Sequence, residues 1–174
     1  SYTLEIEHDG ETYIGKETMT PVVEIDTVFQ SRENGFDKDA LEVNVLFTDP
    51  ENVPNFYLAK FQRLGDLLPT LFDIKDEFTD GNQIKIIYER LDNEDTGERE
   101  FEPGDIVEID LYGISSTYFD FIRLLIEQSG NAGNLFSTIP AELKGNCINV
   151  TDPDHYPYGY FRVTEVDKRF YTFE

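Results

Sequence analysis

Apolar and polar side chains alternate from Tyr2 to Glu7. The pattern resumes at Thr12-Tyr13-Ile14-Gly15 after the turn chemistry of His8-Asp9-Gly10-Glu11, so the chain is predicted to open as a β-hairpin. After Pro21, Val22 to Phe29 predicts a further strand, and Arg32 to Asp39, centred on Asn34-Gly35, a polar turn. Leu41 to Phe47 and Phe56 to Arg63 flank Asp49-Pro50-Glu51-Asn52 and are expected to pair as a second hairpin. Leu67, Leu68, Leu71 and Phe72 have helical spacing, but Pro69 interrupts them, so 64–74 is taken as a loop. Ile84 to Arg90 and Ile106 to Tyr112 predict strands. Between them Asp92 to Asp105 holds seven carboxylates against one Arg, which predicts an exposed connection.

One helix stands out, over about 115–129. Ser115 or Ser116 can cap it, Asp120 suits the positive end of its dipole, and Gly130 stops it. Tyr118, Ile122, Leu125 and Ile126 share a face that Phe121 and Leu124 widen, so the helix is expected to pack across a sheet with most of its surface covered. Strands are then predicted at Gly145 to Val150, Tyr160 to Val166 and Arg169 to Phe173. Eight to ten strands with one helix predict a mainly β fold, an antiparallel β-sandwich or barrel-like domain over 1–174 with one packed α-helix.

Composition sharpens this picture. Fourteen Phe and ten Tyr supply core material, and an aromatic share of 14% argues for a folded chain despite a net charge of −22. That charge repels phosphate backbones and anionic lipid, and the basic residues form no run longer than Lys168-Arg169, so nucleic acid is excluded as a partner. A single cysteine, Cys147, makes neither an internal disulfide nor a sulfur-based zinc site and reads as a small buried filler. No apolar run is long enough to span a membrane. Ser1 opens the chain without a Met, directly into a strand pattern, and the expectation is a processed chain whose anchoring segment lies outside it.

Candidate chemistry is sparse. Acid pairs are too plentiful among 36 carboxylates for any one pair to be chosen as a glycosidase couple. Asp92, Glu94 and Asp95 precede Gly97 densely enough to suggest a Ca²⁺ loop, and Asp76 to Gly81 does likewise. Neither places a Glu at the twelfth position, where Pro103 and Ile87 stand, so a solvated turn is the simpler reading. His8 and His155 lie far apart in sequence and are read as surface residues. Tyr156, Tyr158 and Tyr160 are the candidate ligand-binding side chains, a stacking platform for a sugar or a partner protein; core packing is the bland alternative. If 158–163 were an extended strand, Tyr158 and Tyr160 would share its exposed face.

The order helix, Leu135-Phe136, Pro140, Lys144-Gly145-Asn146, Ile148-Asn149-Val150, Asp152-Pro153 and Gly159-Tyr160-Phe161 resembles the C-terminal region of the domain-of-unknown-function 4249 family, predicted lipoproteins of Bacteroidota. Upstream the resemblance extends loosely through Ile25-Asp26, Asp76-Glu77-Phe78 and Asp80-Gly81. It implies a lipid-anchored protein of the cell envelope, at the outer membrane or cell surface, accompanying outer-membrane nutrient receptors. Residues 1–18 would then be the end of an N-terminal β-domain, and membrane contact would come only through a lipid anchor absent from this chain. It implies no catalytic residues. The expected function is non-enzymatic binding of a ligand or a receptor partner, with a carbohydrate-binding module or glycan-active hydrolase as the alternative.

Overall fold

The structure is a computed structural model, which describes residues 1–76, 81–93, 97–130 and 143–174. Ten strands and one helix are present among these residues: β1 (Tyr2–His8), β2 (Glu11–Glu17), β3 (Ile25–Ser31), β4 (Glu42–Thr48), β5 (Phe56–Arg63), β6 (Thr70–Lys75), β7 (Gln83–Glu89), β8 (Ile106–Gly113), α1 (Ser116–Gly130), β9 (Cys147–Asn149) and β10 (Val166–Thr172). They form antiparallel sheets in the orders β1-β2-β9, β10-β8-β5-β6 and β3-β4-β7, and none closes into a barrel. The fold is mainly β, as the patterning predicts.

The four-stranded sheet and the β3-β4-β7 sheet make a sandwich. Val43, Val45 and Phe47 of β4 and Ile84, Ile86 and Tyr88 of β7 share one buried core with Tyr57, Ala59 and Phe61 of β5 and Val107, Ile109 and Leu111 of β8. The period of two puts these residues on the inner faces. Aromatic rings lock the layers, with Phe47 and Tyr57 centroids 5.0 Å apart and Phe61 and Tyr88 4.9 Å apart. On the outer face of the four-stranded sheet, Leu58 and Ile114 pack against Phe119 and Ile122 of α1. Ser115 Oγ accepts the Tyr118 N–H at 3.3 Å and caps the helix.

Several expectations shift. β4 does not pair with β5: it lies between β3 and β7, while β5 lies between β6 and β8. Both are central strands that need neighbours on two sides, so 49–55 arches between sheets. Buried Asp49 anchors the arch, with its N–H donating to Asn82 C=O at 3.0 Å and its carboxylate accepting the Tyr57 hydroxyl at 2.5 Å. The predicted loop at 64–74 holds the edge strand β6. Pro69 stands just before it, where it removes no ladder hydrogen bond. The third strand starts at Ile25 rather than Val22, with a bulge between Ile25 and Thr27. The acidic connection before β8 is not wholly exposed: Phe101 is buried and stacks on Phe173 at 4.4 Å, while Asp105 accepts from Arg99 at 2.8 Å. Asp120 lies beyond the first turn of α1, and Leu124 and Leu125 are exposed, so the helix buries a narrower stripe than its apolar content predicts. Residues 160–163 form no strand; the last strand begins at Val166.

Candidate functional site

Beside the sandwich, β1 and β2 form the predicted hairpin. Asp9 and Gly10 take φ of 50° and 82°, the left-handed geometry that a two-residue hairpin turn needs. β9 adds to the other side of β2, pairing Tyr13 with Asn149 and Gly15 with Cys147. One face of this sheet therefore carries Leu4, Ile6, His8, Tyr13, Gly15 and Cys147, and the other carries Glu5, Glu7, Lys16 and exposed Ile148.

The apolar face is roofed by the segment 155–161. Asn146 fixes that segment: its Oδ1 accepts the Phe161 N–H at 2.8 Å, and its Nδ2 donates to Phe161 C=O at 2.8 Å and to Lys16 C=O at 3.1 Å. Gly145 permits the closeness, because a Cβ there would overlap the Gly159 carbonyl. A Cβ at Gly15 would lie 2.9 Å from both Cys147 Sγ and Phe161 Cβ, so small side chains set how low the roof sits.

Between roof and sheet lies a groove of about 520 Å³, lined by Leu4, Ile6, Tyr13, Cys147, Tyr156 and Tyr158 with His8 and His155 at its polar margins. Its size falls within the roughly 300–1,000 Å³ range of small-molecule sites. Tyr156 is held in place, donating its hydroxyl to Gly145 C=O at 2.9 Å with the Lys144 ammonium 4.9 Å from its ring centroid. Tyr158 stands at 80° to it and is 74% exposed, a free ring face at the mouth.

Two of the three sequence-predicted tyrosines thus meet at one groove. Tyr160 does not join them: it is half-buried against Tyr118 and Phe121 of α1 at 4.9 and 5.2 Å, and its hydroxyl donates to Glu17 at 2.9 Å. Burial pushes that phenol up to about 12, with the bond to Glu17 adding to the shift. The expected shared exposure of Tyr158 and Tyr160 fails because 158–163 is not a strand, so the two-residue period does not govern it. Of the expected Ca²⁺ ligands, Asp92 accepts the Glu100 N–H at 2.9 Å, while Glu94 and Asp95 lie outside the described residues.

Sequence reasoning missed a cluster at the rim. Glu11 at the start of β2, Asp152 after β9 and His155 bring potential ligand atoms within 4.8 Å of one another. His155 Nδ1 lies 2.9 Å from Glu11 Oε1 across 144 residues of sequence. The Tyr13 hydroxyl and His155 hold the Glu11 carboxyl below its usual range, and the bond to Glu11 raises the His155 imidazole. The turn signals at Asp9-Gly10 and Asp152-Pro153 are visible in the sequence, but nothing local shows that β2 and β9 pair.

The sequence profile of the family described as Domain of unknown function (DUF4249) matches residues 1–169. The chain belongs to that family. The match takes in the groove, its roof and the sandwich together, extending the resemblance of the C-terminal motifs to almost the whole chain. No curated protein and no solved structure matches the chain.

Proposed function

We propose that this DUF4249 domain is the non-enzymatic binding part of a cell-envelope lipoprotein and that it takes a small ligand with an apolar or ring-shaped face in the groove under Tyr156 and Tyr158. The observation that carries this reading is the groove itself. It is mostly apolar in lining, roofed by a segment fixed through Asn146, and flanked by one anchored and one exposed tyrosine ring. Such concave apolar sites with few polar groups at their margins are what small-molecule recognition requires. The envelope location and an accessory role in outer-membrane nutrient uptake are supported by the resemblance to predicted lipoproteins. Among the described residues no helix is long and apolar enough to cross a membrane.

A carbohydrate-binding reading is the second, favoured by the exposed Tyr158 ring, against which a sugar face could stack. Hydrolysis has less support, because among the described residues that line the groove none is a carboxylate, and glycoside cleavage needs two of them across the scissile bond. Titration with the apolar dye 1-anilinonaphthalene-8-sulfonate, with soluble oligosaccharides as competitors, tests both readings. We expect saturable dye fluorescence that weakens in the Tyr156→Ala/Tyr158→Ala double variant. Dye binding unchanged in that variant would overturn the site. Displacement by an oligosaccharide would select the sugar reading, and slow release of shortened products would revive hydrolysis.

A further inference from the structure

The rim cluster goes beyond ligand binding in the groove. Glu11, Asp152 and His155 come from two ends of the chain, and one buried side chain organises all three. Asn149 is only 4% exposed. Its Oδ1 accepts the N–H groups of Thr151 and Asp152, both at 3.0 Å, which folds the turn that presents the Asp152 carboxylate. Its Nδ2 donates to His155 C=O at 3.2 Å and to Glu11 Oε2 at 3.0 Å. The Tyr13 hydroxyl donates to the same Glu11 oxygen. His155 Nδ1 lies 2.9 Å from Glu11 Oε1 and 3.2 Å from Oε2, so Oε1, which Asn149 and Tyr13 leave alone, is the nearer partner.

An ion pair between His155 and Glu11 accounts for two of these groups; among the described residues the Asp152 carboxylate accepts only the Asp154 N–H, at 3.2 Å on Oδ1, and its negative charge is not balanced by that bond. Even with the imidazole protonated, two carboxylates face one positive charge, within a molecule of net charge −22. A divalent cation balances the set better than a proton does. The donors choose among cations: calcium and magnesium take oxygen alone, whereas an imidazole nitrogen with carboxylates suits zinc and its neighbours.

We propose that Glu11, Asp152 and His155 form a zinc site at the rim of the groove, with Glu11 Oε1, His155 Nδ1 and one Asp152 oxygen as ligands. Asp152 and His155 are exposed, so their side chains can rotate to the ~2.0–2.2 Å bonds that zinc makes with nitrogen and oxygen. Three protein ligands leave coordination open to water or to a polar group of a ligand, and His155 also borders the groove, so that open side adjoins it.

Isothermal titration of the whole chain with zinc chloride, in the absence of any groove ligand, tests the site separately from the groove. The expected result is one zinc per chain, with affinity falling at least ~10-fold in His155→Ala and in Asp152→Asn, far-UV circular dichroism unchanged, and Asp92→Asn binding as the native chain does. Glu11→Gln disturbs the Asn149 clamp and could unfold the hairpin; His155→Ala alters an exposed ring and keeps the test decisive. No zinc uptake by the native chain would overturn the proposal. So would uptake indifferent to His155→Ala, or calcium binding the same residues as tightly as zinc.

Discussion

The sandwich and the β1-β2-β9 sheet are built from the same kind of strand and use it differently. In β4 and β8 most side chains are buried, including polar Glu42, Asn44 and Asp110, and the two sheets close on each other. In β1 nearly every side chain is exposed, and apolar Leu4 and Ile6 face a groove rather than a second sheet. Burial of a large apolar side chain is worth roughly 1.5–3 kcal/mol, so the sandwich carries the stability. The small sheet keeps an apolar face open, which is the state a binding surface needs. The difference separates a closed, packed body, the sandwich with its helix, from a sheet whose apolar face is covered only by the 155–161 roof.

That division is broken most severely in the scaffold. Ile122→Asp puts a charge where α1 meets Leu58 and Ile114 and should unfold the chain; Phe61→Ala should cost about 3–5 kcal/mol in denaturant melts. A soluble Ile122→Asp protein with an unchanged melting temperature would contradict the placement of the helix. Acid tests the same region next. Burial opposes ionisation of Glu42, but hydrogen bonds from the Ser31 hydroxyl, the Asn34 N–H and Asn44 prevail and lower it from 4.5 to about 2. A depressed carboxyl stabilises the fold above its unfolded value and loses that contribution as pH falls through about 2. Stability should therefore decline from pH 4.5 toward pH 2 by about 3 kcal/mol from this group, and Glu42→Gln should flatten that part of the pH profile.

Gly145→Ala acts where the two regions differ. The new methyl meets the Gly159 carbonyl, so it should displace the roof and cost about 1–3 kcal/mol, with a larger loss of dye binding than of global stability. Tyr158→Ala is the smallest change in stability, within about 0.5 kcal/mol, because its ring is exposed; its effect should be read in binding alone.

The sandwich was largely legible because its strands carry a period of two and its helix carries a cap and an apolar stripe. What was not legible depended on long-range pairing. The β4–β5 hairpin looked plausible because Asp49-Pro50 is turn chemistry, yet two central strands cannot spend an edge on each other when each needs two further neighbours. β6 was hidden by Pro69, whose position one residue before the strand costs nothing there. Tyr156 and Tyr158, legible as part of the aromatic cluster before the last strand, line one groove. Tyr160 was misplaced because strand alternation was applied to a segment that side-chain clamps hold in an irregular path. Glu11, Asp152 and His155 left no joint signal, since the pairing of β2 with β9 is what brings them together.

A second hollow with exposed apolar side chains, lined by Leu64, Ile106 and Phe170 beside β5, β8 and β10, competes with the groove. Amide hydrogen exchange with and without saturating 1-anilinonaphthalene-8-sulfonate separates the two. Slowed exchange confined to β1, β2, β9 and residues 155–159 is the predicted result; slowed exchange at 62–68 and β10 instead, with the small sheet unchanged, would contradict the claim that the groove is where this domain binds.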